Sequence, residues 1–320
     1  MKPEIERVFP LYVRESLRGT PWPQGLEEIR VRVGQPVEFL TAAGVRYLTI
    51  QDGTCRFMEH SPDQQWEDYP YCASVQDIAE MLSYISSYSL YAYQEELKQG
   101  YITIEGGHRI GLAGSAVLAE GKIAGISHVT FLNIRIAHEK KGCAREILPG
   151  IRNGSSIYNT LILSEPGGGK TTLLRDCIRM LSEGTGGCAG LKVCVVDERS
   201  ELAACHMGIP QNDLGPRTDV LDGCGKPEGM RMLLRAMSPQ VLAVDELGSE
   251  EDFFAVEQAV YMGSRVLGTV HAGSVQELAE KPYLDRWVKR RMFQRYIVIE
   301  REEDGARRLG LYGARMERLC

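Results

Sequence analysis

Residues 157–174, IYNTLILSEPGGGKTTLL, constrain this chain more than any other stretch. The apolar run 157–163 reads as a buried strand, residues 164–169 as a glycine-rich turn, and the segment from Lys170 as a helix. Strand, glycine loop, Lys-Thr and helix together make a phosphate-binding P-loop. Gly167, Gly168 and Gly169 carry no Cβ, so their backbone N–H groups can turn inward around an anion. The helix N-terminus adds unpaired N–H groups and a partial positive charge. Lys170 can reach the β- and γ-phosphates of ATP, and Thr171 can ligate Mg²⁺. The candidate nucleotide contacts are therefore Ser164, Glu165, Pro166, Gly167, Gly168, Gly169, Lys170, Thr171 and Thr172. One position departs from the usual GxxxxGK[ST] pattern, with Ser164 where the first Gly would stand.

Downstream, four apolar residues run into Asp245 and Glu246, the pattern of a Walker B strand. Alone such a run often marks an ordinary strand end; after a P-loop it points to catalysis. Asp245 would hold Mg²⁺, directly or through water, and Glu246 would polarise the attacking water. The next apolar strand ends at His271, with Thr269 two residues earlier. Successive parallel strands present their carboxyl ends to one crevice. His271 is thus a candidate sensor of the γ-phosphate, the alternative being a satisfied polar residue at a strand end. Lys170, Glu246 and His271 form the candidate catalytic set. Asp197, Glu198 and Arg199 end another buried strand, 191–197, with Glu198 a candidate neighbour of the metal or water; a solvated charge run is the other reading. Arg109, Arg135 and Arg217 are candidates for an arginine that reaches in from elsewhere to meet charge on the transferred phosphoryl group.

At 320 residues the chain is long enough for two domains. Apolar residues make up 43% and charged residues 25%, sufficient for a sizeable core. The net charge of −6 offers no general attraction to nucleic acid or anionic lipid. No apolar run is long enough to span a bilayer, and the first ten residues lack a signal-peptide core. A cytoplasmic protein is expected, with any membrane role peripheral and through a partner. Nine cysteines, an odd number without CxxC pairs, argue against a disulfide framework or a zinc site; Cys177 and Cys194 read as core thiols.

The first half reads as a small α+β domain. An amphipathic helix is expected over 4–17, interrupted at Pro10, then two strands around a turn at 34–36. Residues 52–71 read as a loop with a short strand near Phe57. Ser74 and Asp77 are spaced to cap a helix, and a second helix is expected over 90–98. Tyr84, Tyr88, Tyr91 and Tyr93 read as packing between these two helices. A hairpin turning at Gly106-Gly107 and a strand over 129–136 complete the half. Gly and Pro breakers over 140–154 place the boundary between domains 1–149 and 150–320. In the second domain, 208–229 reads as a long irregular stretch and the tail as a hairpin turning at Asp304-Gly305.

The runs SEPGGGKTTLLRD, VVDERSELA, GPRTDVLDGCGKPEGMRMLLRAMSPQVLAVDELG and GTVHA closely resemble the stage III sporulation protein AA family. QGYITIEGGHRIGLAG and FLNIRIAHEKKGCAREILP in the first half look like the same family, so the resemblance spans nearly the whole chain. That family is related to the ATPases of type II and type IV secretion systems. The resemblance implies an α/β, RecA-like P-loop NTPase domain behind a smaller N-terminal α+β domain. It also implies a homo-hexameric Mg²⁺-dependent ATPase, peripheral to the membrane, that powers a transport channel between mother cell and forespore. Its partners would be membrane proteins of that sporulation channel. Two rivals come from other classes: a DNA-associated RecA-like motor or loader, and an ATP-dependent scaffold with little hydrolysis. The net charge lowers the first, and a carboxylate at Glu246 argues against the second.

Overall fold

A computed structural model of the protein describes residues 3–59, 68–86, 96–97, 100–281, 283–301 and 307–319. The chain divides into two compact units, Met1–His138 and Glu139–Cys320. The expected boundary at 149/150 falls inside the second unit, because Ala144, Ile147 and Leu148 are already buried in its core. The expected helix over 90–98, Tyr88, Tyr91, Tyr93 and the Asp304-Gly305 turn lie outside the described residues, apart from a helical pair at 96–97.

The first unit is a seven-stranded sheet whose strand pairs are all antiparallel. Its strands are β1 (Leu26–Arg32), β2 (Glu38–Thr41), β3 (Gly44–Gln51), β4 (Thr54–Met58), β5 (Tyr101–Thr103), β6 (Arg109–Ala119) and β7 (Lys122–Arg135), in the order β4-β3-β2-β1-β7-β6-β5. Helices α1 (Pro3–Glu6) and α2 (Leu11–Leu17) meet at Pro10, as the proline requires. Phe9, Val13 and Leu17 pack with Ile29, Phe39 and Leu48 of the sheet. Helix α3 (Val75–Ile85) opens with a capping box, in which Asp77 N–H donates to Ser74 Oγ and Ser74 N–H donates to Asp77. The short strand expected near Phe57, within 52–71, is β4. Asp52 and Gly53 take positive φ, 48° and 72°, the geometry of a two-residue hairpin turn between β3 and β4.

The second unit holds β8 (Arg152–Asn153), β9 (Ser156–Ile157), β10 (Thr160–Ser164), β11 (Val193–Asp197), β12 (Thr218–Asp222), β13 (Val241–Val244), β14 (Arg265–His271), β15 (Arg295–Arg301) and β16 (Arg307–Gly313). The main sheet runs β12-β11-β13-β14-β10-β15-β16 and is parallel except for the antiparallel edge strand β16. Every residue of β10, β11 and β13 is buried. Such strands read as unbroken apolar runs because helices cover both faces. Alternation still sorts them: Ile162 and Val195 face one core, Leu161, Leu163 and Val196 the other. The irregular stretch expected over 208–229 gives way to β12 and the start of a helix. Acidic Asp219 and Asp222 hide β12 from an apolar-run reading, since an edge strand is only half covered.

Among the described residues, six helices complete this unit: α4 (Leu148–Ile151), α5 (Lys170–Glu183), α6 (Lys226–Met237), α7 (Glu250–Tyr261), α8 (Val275–Glu280) and α9 (Leu284–Lys289). Cys177 and Cys194 are core thiols, at 0% and 1% exposure. Trp287 of α9 is fully buried, stacked 5.9 Å from Phe253 and edge-on 5.2 Å from Phe293. Trp287→Ala removes the largest side chain of that core and is expected to cost about 3–5 kcal/mol in urea unfolding. A loss below about 1 kcal/mol would mean that the face is not packed as described.

Candidate nucleotide-binding site

Strand order creates the site. β14 lies between β10 and β13, so the glycine loop, His271 and the acidic pair all leave the sheet at its carboxyl edge. Ser164 stands directly across from His271 in the β10–β14 register.

Ser164 is 1% exposed, and its hydroxyl donates 2.8 Å to the Glu165 carbonyl. Gly168 folds back over it, and a Cβ there would sit 2.3 Å from Ser164 Oγ. The hydroxyl therefore occupies the space beneath the loop, and Gly168 must be glycine to accommodate it. Gly167 and Gly169 take φ of 71° and 102°, where an L side chain would be strained. Gly169 precedes α5, whose first residue, Lys170, is 5% exposed.

The Lys170 ammonium lies 3.1 Å from the Ser164 carbonyl, 3.2 Å from the Glu165 carbonyl and 3.0 Å from His271 Nδ1. Burial lowers its pKa, opposed by the charges of Asp245 and Glu246. An ammonium can only donate, so His271 Nδ1 must accept. The other ring nitrogen, Nε2, lies 3.2 Å from Glu246 Oε1 and carries the proton. The network thus assigns one tautomer of neutral His271, a bridge from the lysine to the acid. On its far side Glu246 Oε2 pairs with Arg199 at 2.9 Å. Burial pushes the Glu246 carboxyl up, but the His271 hydrogen bond and the Arg199 charge outweigh it, and its pKa lies below the usual carboxylate value. It remains an anion throughout the neutral range.

Thr171 Oγ1 donates 2.8 Å to Asp245 Oδ2. The Thr269 hydroxyl donates to Asp245 Oδ1 and accepts from the Glu246 N–H at 2.8 Å. It therefore orients both acids at once, a role that its position two residues before His271 only hints at. Glu246 sits at φ 50°, unusual for a residue with a side chain. Lys281 donates to the His271 carbonyl from outside every motif. Ser164, Glu165, Lys170, Thr171, Asp245, Glu246 and His271 are thus brought together, while Thr172 faces α5's half-buried side without a polar contact to the acids.

Three of the sequence candidates have other polar partners within this chain. Asp197, 1% exposed, accepts from the N–H groups of Glu201, Leu202 and Ala203 at 2.8–3.0 Å, so it ties down a loop. Burial pushes its carboxyl up to about 6 in spite of these donors. Glu198 pairs with Lys226 at 2.9 Å, and the Lys226 charge also acts on Glu246. Arg217 precedes β12, where its guanidinium donates to the Gly190 carbonyl. That is the amino edge of the strands, opposite to the site. Within the first unit, Arg109 stacks on Tyr101 at 3.9 Å and Arg135 approaches Glu28.

Known proteins share this architecture. Over 93% of this chain and 80% of the other, the fold matches the pilus retraction motor PilT with bound ADP, with a TM-score of 0.55 at 15% identity. Over 90% and 76% it matches the ATPase DotB of Legionella pneumophila, with a TM-score of 0.52 at 15% identity. The class is an α/β, RecA-like P-loop fold. The sporulation stage III, protein AA family model matches residues 1–319. The stage III sporulation protein AA of Bacillus subtilis (strain 168) is 40% identical over 300 residues, 93% of this chain and 91% of that one. The chain therefore belongs to the stage III sporulation protein AA family.

The assignment of Asp197 to a structural role has a measurable consequence. Asp197→Ala leaves three buried N–H groups without an acceptor and is expected to cost about 3 kcal/mol of stability in urea unfolding. Its folded-state pKa of about 6 lies above the ordinary 3.8, so the folded state holds the extra proton. The stability contributed by this titration is fully present below pH 4 and is lost as pH rises through about 6. The penalty of Asp197→Ala is accordingly larger at pH 4 than at pH 7; an equal penalty at both would show that Asp197 does not titrate there.

Proposed function

We propose that this protein is a Mg²⁺-dependent ATPase of the secretion type, powering a transport channel between mother cell and forespore during sporulation. Family membership supports the cellular setting, and the fold supports nucleotide binding. The observation that carries the chemistry is the paired network Thr171–Asp245 and Lys170–His271–Glu246. In this reading the protein is cytoplasmic and meets the membrane through proteins of the channel.

The residues present fit Mg²⁺. A hydroxyl and a carboxylate, hard oxygen donors 2.8 Å apart, stand beside the glycine loop. Among the described residues no group of three or more His, Cys, Asp or Glu could hold a metal. That suits Mg²⁺, which favours one or two protein oxygens, waters and substrate phosphates over a complete protein cage. Thr171 and Asp245 would hold it, and when bound it would neutralise charge on the phosphate oxygens.

The chain's own groups account for the remainder. Loop N–H groups and Lys170 bind the polyphosphate, with the phosphates replacing the carbonyls that hold the ammonium in this arrangement. Losing Lys170 from His271 Nδ1 alters the bond that His271 makes to Glu246. His271 thereby couples occupancy of the phosphate site to the position of the acid. Glu246, freed from Arg199, orients the attacking water and takes its proton.

Lys170→Ala is expected to weaken ATP binding and abolish turnover. Glu246→Gln keeps the shape, binds ATP and loses turnover by about 10²-fold or more. Nucleotide titration and phosphate release on both variants decide the matter: near wild-type turnover in Glu246→Gln refutes the assignment of Glu246 as base. For assembly, the expected species with ATP and Mg²⁺ is a homo-hexamer, read by solution mass. A strict monomer at micromolar concentration, with the membrane partner also present, would count against it.

A further inference from the structure

The glycine loop has a neighbour that no motif announces. β16 pairs with β15, which lies beside β10, so the first residue of β16 returns to the loop that follows β10. That residue is Arg307. A Cβ built on Gly169 would sit 2.8 Å from Arg307 Nη1 and 3.3 Å from its Cζ. The Nη1 end of the guanidinium thus lies close to the last glycine before Lys170. Arg307 is exposed, and among the described residues it forms no ion pair. The nearby cations Lys170 and Arg199 are both engaged, the first by carbonyls and His271, the second by Glu246.

We infer that Arg307 is a phosphate-binding residue, supplied by the same subunit to the α- and β-phosphates of the nucleotide. The inference rests on the nucleotide-binding reading above. Loop N–H groups of a P-loop cradle the α- and β-phosphates, while its lysine reaches toward the γ-phosphate. Lys170, His271 and Glu246 mark the γ end of this site. Arg307 lies over Gly169, on the loop side. A guanidinium offers planar, paired donors that match two phosphate oxygens, and its charge does not titrate. Since ADP and ATP share these two phosphates, Arg307 contributes to the binding of both, and most of its contact is already made in the bound ground state. Such a contact is felt chiefly in affinity and only weakly in the chemical step. An arginine that met the γ-phosphate would do the reverse.

The test uses the full chain with Mg²⁺, comparing wild type, Arg307→Gln, Arg307→Lys and Lys170→Ala. Arg307 sits on an exposed edge strand, so its variants should keep the wild-type unfolding midpoint, checked by circular dichroism. Fluorescent-nucleotide titration is expected to show ADP and ATP weakened by the same factor, about tenfold, in Arg307→Gln. Arg307→Lys should recover part of that loss, and kcat at saturating ATP should stay within about twofold. Competition by inorganic pyrophosphate should weaken in parallel. Unchanged ADP affinity overturns the proposal. So does a fall in kcat with affinity retained, or normal pyrophosphate competition with weakened ADP, which would move the contact to the base or ribose. If wild type binds neither nucleotide, the nucleotide-binding reading itself fails; if wild type binds and Lys170→Ala does not, that reading stands and Arg307 is judged alone.

Discussion

The placement of β14 between β10 and β13 is the constraint on which the site depends. Parallel pairing in register sets Ser164 opposite His271 and carries Asp245 and Glu246 to the same edge. One residue of slip would turn His271 to the opposite face and separate Lys170 from Glu246. Register here is strongly specified, because both faces of these strands are buried in separate apolar cores. Each fully buried Leu, Ile or Val contributes about 1.5–3 kcal/mol relative to exposure. A shifted strand would exchange the residues facing each core and forfeit much of their fit.

That rigid edge carries a connected polar network. Lys170, His271, Glu246 and Arg199 alternate as donor and acceptor along one line. Thr269 fixes the adjoining acids through one hydroxyl that both donates and accepts. The charges are mutually compensating, which keeps the buried lysine tolerable in the absence of phosphate. In the proposed reaction an incoming polyphosphate competes for Lys170 and disturbs the whole line, since each member holds its neighbour. Chemical sensing thus requires no additional element beyond the strand that separates loop from acid.

The two units stand on different physical footings. The first is antiparallel, with turns such as Asp52-Gly53 joining neighbours, so its pairings are mostly local. The second is parallel and depends on crossovers, which demand longer connections and covered faces. One edge of its sheet is the antiparallel strand β16, and that strand brings Arg307 to the loop.

The sequence by itself determined the features that rest on local chemistry. Three glycines before Lys170-Thr171, the apolar run into Asp245-Glu246 and the Ser74–Asp77 cap are legible because each acts within a few residues. The P-loop strand and helix, the Walker B strand and the strand leading to His271 follow from the same patterns. Tertiary structure decided what depends on residues far apart in the chain. It turned Asp197 into a loop anchor, paired Glu198 with Lys226 and set Arg217 at the wrong edge for its own subunit's site. It joined Arg199 to Glu246 and laid Arg307 against Gly169. Those partners are separated by 47 and 138 positions along the chain. No periodicity spans such distances; only strand order and register bring the groups together.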